Sequence, residues 1–379
     1  MAVARHPSWA NGLPPPCPAS QGGLRGTIMT GRTEAETATT TPASPQSATK
    51  RRALLLSASV LIAVSGLSAP VRAAHFETFD AADCHRTGGS AINPAGTIAG
   101  GCKQGRHYYG IIRAPEGTVT RFSAFDSKIT TVSGIDVAGD IVGDFHDNHS
   151  YHPYLRTADG QIVTISPPDG PGGYWIAIND RGAIAGDYTA GGSHRGYLRS
   201  PVGRFTTFEF PGTPRLVSIA AIGNKDAIVG YYTDSTGIDH GFLRTKDGTF
   251  TTIDPANSQG THIQSINADG ALSGSYDDAA LGKTGFVRDA QGTITTFAPP
   301  GGSGRLYWAA LNDLGAIAGY YDDASFAVHG YVRQPDGTMT TLDVPGAAVT
   351  YPRAINEDGA VTGSFENGAG HGHGFVYIP

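Results

Sequence analysis

The stretch AINDRGAIAGDY, residues 177–188, decides the fold, because versions of it return through the chain at nearly constant spacing. With its first Ile as the mark, the copies fall at Ile92, Ile135, Ile178, Ile222, Ile266, Leu311 and Ile355, spaced 43, 43, 44, 44, 45 and 44 residues apart. A fixed period in the forties, built only of strand-like segments, is the signature of one propeller blade per repeat. Each period reads as four short strands: one ending at the mark, then the types AIAGDY, HGFLR and FTTFEF. NDRG, NADG or NDLG follows the first strand, and KDGT, AQGT or PDGT the third, which predicts tight hairpins on one face. The longer links should lie on the other face, where a site is expected.

The last repeat stops at HGFVYIP, after its third strand, whereas AHFETFD near residue 74 matches the fourth-strand type. The predicted fold class is therefore all-β: a seven-bladed β-propeller over residues 74–379, closed by the N-terminal strand of the mature chain. Closure would remove the exposed edges that a linear stack of sheets carries. Turn-dense composition agrees, with 53 Gly and 24 Pro, and no helix signal or second domain is expected.

Residues 1–49 are rich in Ala, Thr, Ser and Pro without apolar periodicity, and read as a disordered N-terminal extension or an overextended start with Met29 as initiator. Residues 50–73 read as a signal peptide: Lys50-Arg51-Arg52, the run ALLLSASVLIAVSGL, and a small-residue ending with cleavage after Ala73. That run is too short for a comfortable membrane span. Both the general secretory and the twin-arginine routes stay open, and the expected location is periplasmic or extracellular. Seven of the 27 basic and two of the 33 acidic residues precede Ala74, so the mature chain carries a net charge of −11. That balance argues against nucleic acid and anionic membrane as partners. Cys84 and Cys102, an even pair in an oxidising compartment, are expected to form a disulfide. A monomer is expected.

The pairing of Ile-Asn-x-x-Gly-x-Ile-x-Gly with His-Gly-Phe/Tyr-Leu/Val-Arg resembles the bacterial extracellular HAF-repeat family, named for a His-Ala-Phe motif where this chain has His-Gly-Phe or His-Gly-Tyr. The resemblance covers essentially all of the mature chain. It implies an exported repeat protein and carries over no catalytic residue.

Repeats supply an internal control, because a residue that recurs at one register serves the fold. On that ground the His of HGFLR, the Arg that ends it, and the aromatic two residues after the second-strand Gly are assigned to packing. Four residues before each mark the blades stop agreeing: Gly88, Thr131, Tyr174, Ser218, His262, Tyr307 and Tyr351. This register begins the innermost strand, so His262, Tyr174, Tyr307 and Tyr351 are candidates to line the channel mouth as acid, base or hydrogen-bonding groups. Arg215, Arg305 and Arg353 lie near the same entrances and suit a carboxylate. Trp175 and Trp308, in the matched contexts YWIAIND and YWAALND, either face a sugar-sized space or pack between blades. His146, Asp147 and His149 form the densest metal-ligand cluster, though a loop sequence does not fix their geometry, and Asp-rich turns read as solvated. No cofactor is expected.

No nucleophile elbow, phosphate-binding Gly loop or HExxH occurs. The sequence thus points to a binder of a glycan or cell-envelope component on the link face. A uronate lyase or glycoside hydrolase at the channel mouth, or a plain scaffold, are the rivals.

Overall fold

The computed structural model describes residues 73–379 apart from 148, 171, 211, 213–215 and 300–304, with the backbone alone at 172 and 174. The expected extension and nearly all of the expected signal peptide lie outside the described residues, as do Arg215 and the side chain of Tyr174. Among the described residues the strands pair in one 13-stranded, three four-stranded and one five-stranded sheet, to which the sequence repeats, numbered in chain order as units 1 to 7, each contribute an antiparallel run; the one helical turn is Ala124–Asp126. Unit 4 is representative: Leu216–Ile222, Ile228–Thr233, Asp239–Arg244 and Phe250–Ile253, paired in that order. Unit 7 takes Ala347–Ile355, Val361–Asn367 and Gly372–Ile378 from the C-terminus, and His75–Phe79 pairs antiparallel with Gly372–Ile378 as its fourth strand.

Hydrophobic residues are buried between units rather than at one centre. Apolar clusters fill the seams between successive units, as where Ala185 of unit 3 meets Val217 and Phe242 of unit 4. A further cluster joins unit 7 to unit 1, through Phe79, Ala360 and Val376 against Ile98 and Ile111. Two salt bridges cross the same seam, Arg86–Glu366 at 2.6 Å and Arg113–Glu77 at 2.7 Å.

The Asn of the repeated stretch is spent on the same purpose. Asn312 Oδ1 accepts the N–H of Ala316 at 2.8 Å and closes its own turn, while its Nδ2 donates to the carbonyl of Asn356 in the next unit at 2.9 Å. Asn93, Asn179, Asn267 and Asn356 repeat this pair of bonds, and Asn356 reaches back to the carbonyl of Asn93 at 3.3 Å. All five are buried.

Two glycine registers have equally local causes. The inner strands carry bulges, for example between Pro352 and Ala354, which turn the Tyr351 carbonyl onto Gly363 so that a Cβ there would overlap it. The Gly of HGF clears the fourth-strand ring: a Cβ at Gly110 would strike Phe122. The Arg ending the third strand lies over the fourth-strand Phe of the preceding unit, Arg244 on Phe208 at 4.2 Å and Arg333 on Phe297 at 5.0 Å.

Two of the link-face hairpins are shorter than the sequence suggested. Second and third strands are joined by 105–106 in unit 1 and 191–192 in unit 3, where Gly191 and Gly192 both take positive φ, as a two-residue hairpin turn requires.

Cys84 and Cys102 form a disulfide with Cα atoms 5.9 Å apart, tying the link after the fourth strand of unit 7 to the second strand of unit 1. It points to an oxidising, non-cytoplasmic compartment. Closing a loop of 18 residues is worth about 3 kcal/mol. Cys84→Ser with Cys102→Ser should lower unfolding free energy by about that amount in denaturant titrations. Asn312→Ala removes two buried bonds and strands their partners, so a loss of about 2–4 kcal/mol is expected in the same titration.

Candidate functional site

The residues where the units differ lie beside a second variable row. The bulged inner strand pairs His262 with Ser275, Ser218 with Tyr231 and Tyr351 with Ser364, so the residue after the second-strand Gly shares a face with the position four before the mark. That row reads Gly101, Asp144, Asp187, Tyr231, Ser275, Tyr320 and Ser364. It faces the next unit, and the two rows interlock across the seams.

In the seam of units 4 and 5, the His262 ring stacks on Tyr231 with centroids 4.2 Å apart, and its Nε2 lies 2.8 Å from Asp239 Oδ2. Burial pushes the Asp239 carboxyl up, but bonds from His262 and Thr233 outweigh it and leave the acid below its ordinary range. The result is an oriented imidazole–carboxylate pair, about one-third exposed at each side chain. In unit 6, Tyr307 stacks on Tyr320 at 5.8 Å and donates its hydroxyl to Asp322 Oδ2 at 3.0 Å, while Asp322 Oδ1 accepts the Arg305 backbone N–H at 2.8 Å. Tyr351 meets Tyr320 edge-on at 5.1 Å, and the Arg353 guanidinium lies 5.2 Å from Tyr320 and 5.3 Å from Trp308.

Burial is the leading cause that raises the phenols of Tyr231, Tyr307 and Tyr351 above their ordinary value. These hydroxyls therefore stay protonated and act as donors or acids. Beside them, His262 offers an imidazole whose Nε2 is held by Asp239.

The indole of Trp308 donates to the Arg353 carbonyl at 2.8 Å, and Trp175 packs against the cluster of units 3 and 4. Both Trp side chains are thus seated in seams. At 146–152, Asp147 accepts backbone N–H groups from His149 and Ser150 and lies 2.8 Å from His152, whereas the His146 ring meets Tyr151. Among the described residues no three such side chains converge as metal ligands. The HGFLR histidines act as clasps: His240 Nδ1 donates to Asp254 at 2.7 Å and His329 Nδ1 to Asp343 at 2.7 Å, each joining a third strand to the following link.

Spacing alone did not reveal Tyr231, Asp239 and Tyr320 as partners of the candidate residues. The signal available was the variable row after the second-strand Gly. The same row holds two buried acids in adjacent units, Asp144 at 1% and Asp187 at 6% exposure. Burial pushes Asp187 up to about 7 and, with the nearby Asp187 charge, raises Asp144 well above the usual carboxylate range. A cavity of about 420 Å³ lies elsewhere, beside the disulfide between Asp80, His85, His371 and His373.

No family model and no curated protein sequence matches the chain. Solved structures do. A streptogramin B lyase structure aligns over 81% of this chain and 98% of its own at 16% identity and a TM-score of 0.57. The fold is a β-propeller. A catalytically inactive virginiamycin B lyase from Staphylococcus aureus with quinupristin aligns at 16% identity over 81% of this chain and 100% of its own, with a TM-score of 0.56. A prolyl endopeptidase structure aligns at 11% identity and 0.56, over 78% of this chain and 51% of its own. At these identities the likeness is one of fold alone.

A carboxyl raised in the folded state favours folding while protonated, so its contribution is present below the unfolded value and is lost as pH rises through the folded one. For Asp187 that window runs from about 4 to about 7. Stability should decline across it by a few kcal/mol, and Asp187→Asn should flatten the decline in denaturant midpoints taken from pH 4 to 8.

Proposed function

We propose that the chain is an exported, seven-bladed propeller, closed by its N-terminal strand, that binds a glycan or another cell-envelope component. On this reading it leaves the cell behind the segment 50–73, works as a monomer, and is a relative of the HAF-repeat proteins by motif. The ligand lies along the link face over units 5 to 7. One observation carries the reading: this sector gathers the half-exposed Tyr307, Tyr351 and Arg353 and the exposed Arg305 beside the His262–Asp239 pair. Aromatic faces and guanidinium groups suit the apolar faces of sugar rings and the carboxylates of acidic ones. Their internal bonds, Tyr307 to Asp322 and Trp308 to Arg353, hold them ready at little cost in ordering.

A second reading rests on the His262–Asp239 geometry. An imidazole oriented by a carboxylate is equipped to abstract the proton beside a uronate carboxylate, with Arg305 or Arg353 neutralising the acid and a protonated Tyr donating to the leaving oxygen. That would make the protein a polysaccharide lyase, and the binder remains the simpler reading.

The mature protein should be retained on immobilised acidic or neutral polysaccharides without releasing unsaturated or reducing ends. Arg353→Ala with Tyr351→Phe should weaken retention about tenfold or more, and unchanged retention would overturn the assigned sector. Release of unsaturated ends that disappears in His262→Ala would instead establish the lyase.

A further inference from the structure

Three consecutive units carry a large apolar residue at the hairpin joining their second and third strands. Ile238, Leu281 and Phe326, in units 4, 5 and 6, are 43%, 71% and 67% exposed. The equivalent hairpins elsewhere turn on Gly105-Arg106 in unit 1, Gly191-Gly192 in unit 3 and Gly368-Ala369-Gly370 in unit 7. Among the described residues these hairpin tips form an apolar sector of the link face, with Phe125, 53% exposed, standing apart on the link between units 1 and 2.

Phe326 is the informative member. Units 4 and 6 share the same turn, bond for bond: the N–H of Gly237 donates to the Asp234 carbonyl and that of Phe326 to the Asp323 carbonyl. Asp234 Oδ1 accepts the N–H groups of Thr236 and Ile238, and Asp323 Oδ1 those of Ser325 and Ala327. Unit 7 repeats the plan with Gly370 donating to Asn367. Gly237 and Gly370 have φ of 95° and 77°, and Phe326, at the same place, has φ of 67°. A left-handed backbone suits Gly and costs energy for a bulky aromatic residue. A side chain two-thirds exposed recovers little of that cost by packing within its own chain. The fold would be served better by Gly, as its two sister turns are.

The surroundings define what such a tip would meet. Asp234, Asp278 and Asp323 anchor the three turns, and bonds from backbone and side-chain groups hold each carboxyl below its ordinary value, so all three are charged at any physiological pH. Asp277 adds a fourth acid, half exposed, with Lys283 3.5 Å away as its cationic neighbour. Rigid apolar tips among excess carboxylates suit a partner that offers apolar side chains between Lys and Arg. An anionic lipid surface would be repelled. We propose that the hairpin tips of units 4 to 6 dock a basic, amphipathic protein segment, with Phe326, Leu281 and Ile238 as its apolar anchors.

The probe is a fluorescently labelled amphipathic Lys/Leu peptide, titrated with the mature protein by anisotropy. A Glu/Leu peptide of the same pattern and neutral phosphatidylcholine vesicles serve as controls. Binding of the Lys/Leu peptide should weaken tenfold or more in Ile238→Ser/Leu281→Ser/Phe326→Gly. Phe326→Gly alone should weaken it several-fold while raising the thermal midpoint by about 1–2 °C, a combination that a packing residue would not give. The proposal falls if the triple variant binds equally well, or if the Glu/Leu peptide binds as tightly. It falls too if the vesicles bind through these tips in place of the peptide, or if Phe326→Gly lowers the midpoint. Retention on polysaccharide is read separately, so either result stands without the other.

Discussion

One side chain with a donor and an acceptor two bonds from its Cβ sets the spacing of everything else. The Asn after each mark closes its own turn through Oδ1 and grips the next unit through Nδ2, in the buried layer where the inner strands end. Neither Asp nor Gly can do both. At Asp136 the acceptor survives, taking N–H groups from Ala138 and Asp140, but no donor remains for unit 3. At Gly223 both are gone. Yet the chain of bonds resumes after each gap and returns from Asn356 to Asn93, so the period of the sequence and the joining of its ends follow from the same carboxamide.

Further from that layer the same logic is carried by other atoms. Arg guanidinium groups lie on the Phe of the preceding unit, and His imidazoles clasp the following link. Glycine makes room for a bulged carbonyl in one strand and for a ring in the next. Nearly every recurring letter of the repeat is thereby consumed in holding one unit to another, with no central core to share the work. The histidines and arginines most conspicuous in the sequence are thus engaged with neighbouring strands and links, and the candidate site was sought where the repeat is irregular.

The period, the four-strand unit and the pairing of His75–Phe79 with the last unit were legible because each leaves its mark along a single strand. So was the disulfide, since both Cys sit at defined registers. The partnerships of His262 with Tyr231 and Asp239, and of Tyr307 with Tyr320 and Asp322, were not. They depend on which residues face each other across a bulged pair, and one extra residue in the bulge moves a side chain relative to its neighbours without changing the period. The shortness of two link-face hairpins was hidden for a similar reason. Two residues close a hairpin as well as five do, and only backbone dihedrals tell them apart.

Departures from a repeat are not all alike, and their cost separates them. A polar residue that merely begins a strand costs nothing and says little. Asp144 and Asp187, buried where other units carry Ser, Tyr or Gly, oppose folding at neutral pH, and Phe326 holds a backbone shape that its sister turns leave to Gly. Such residues are not explained by the fold that contains them. The acids are enclosed in a seam, so any role they have must act through the protonation and packing of units 2 and 3. Phe326 stands on the link face beside the sector of Tyr307 and Arg305, where a costly side chain is in reach of another molecule. The repeat is thus most uniform at the turn face and least uniform at the link face, and the asymmetry has a direction: from structure-serving residues toward those that the chain itself has no use for.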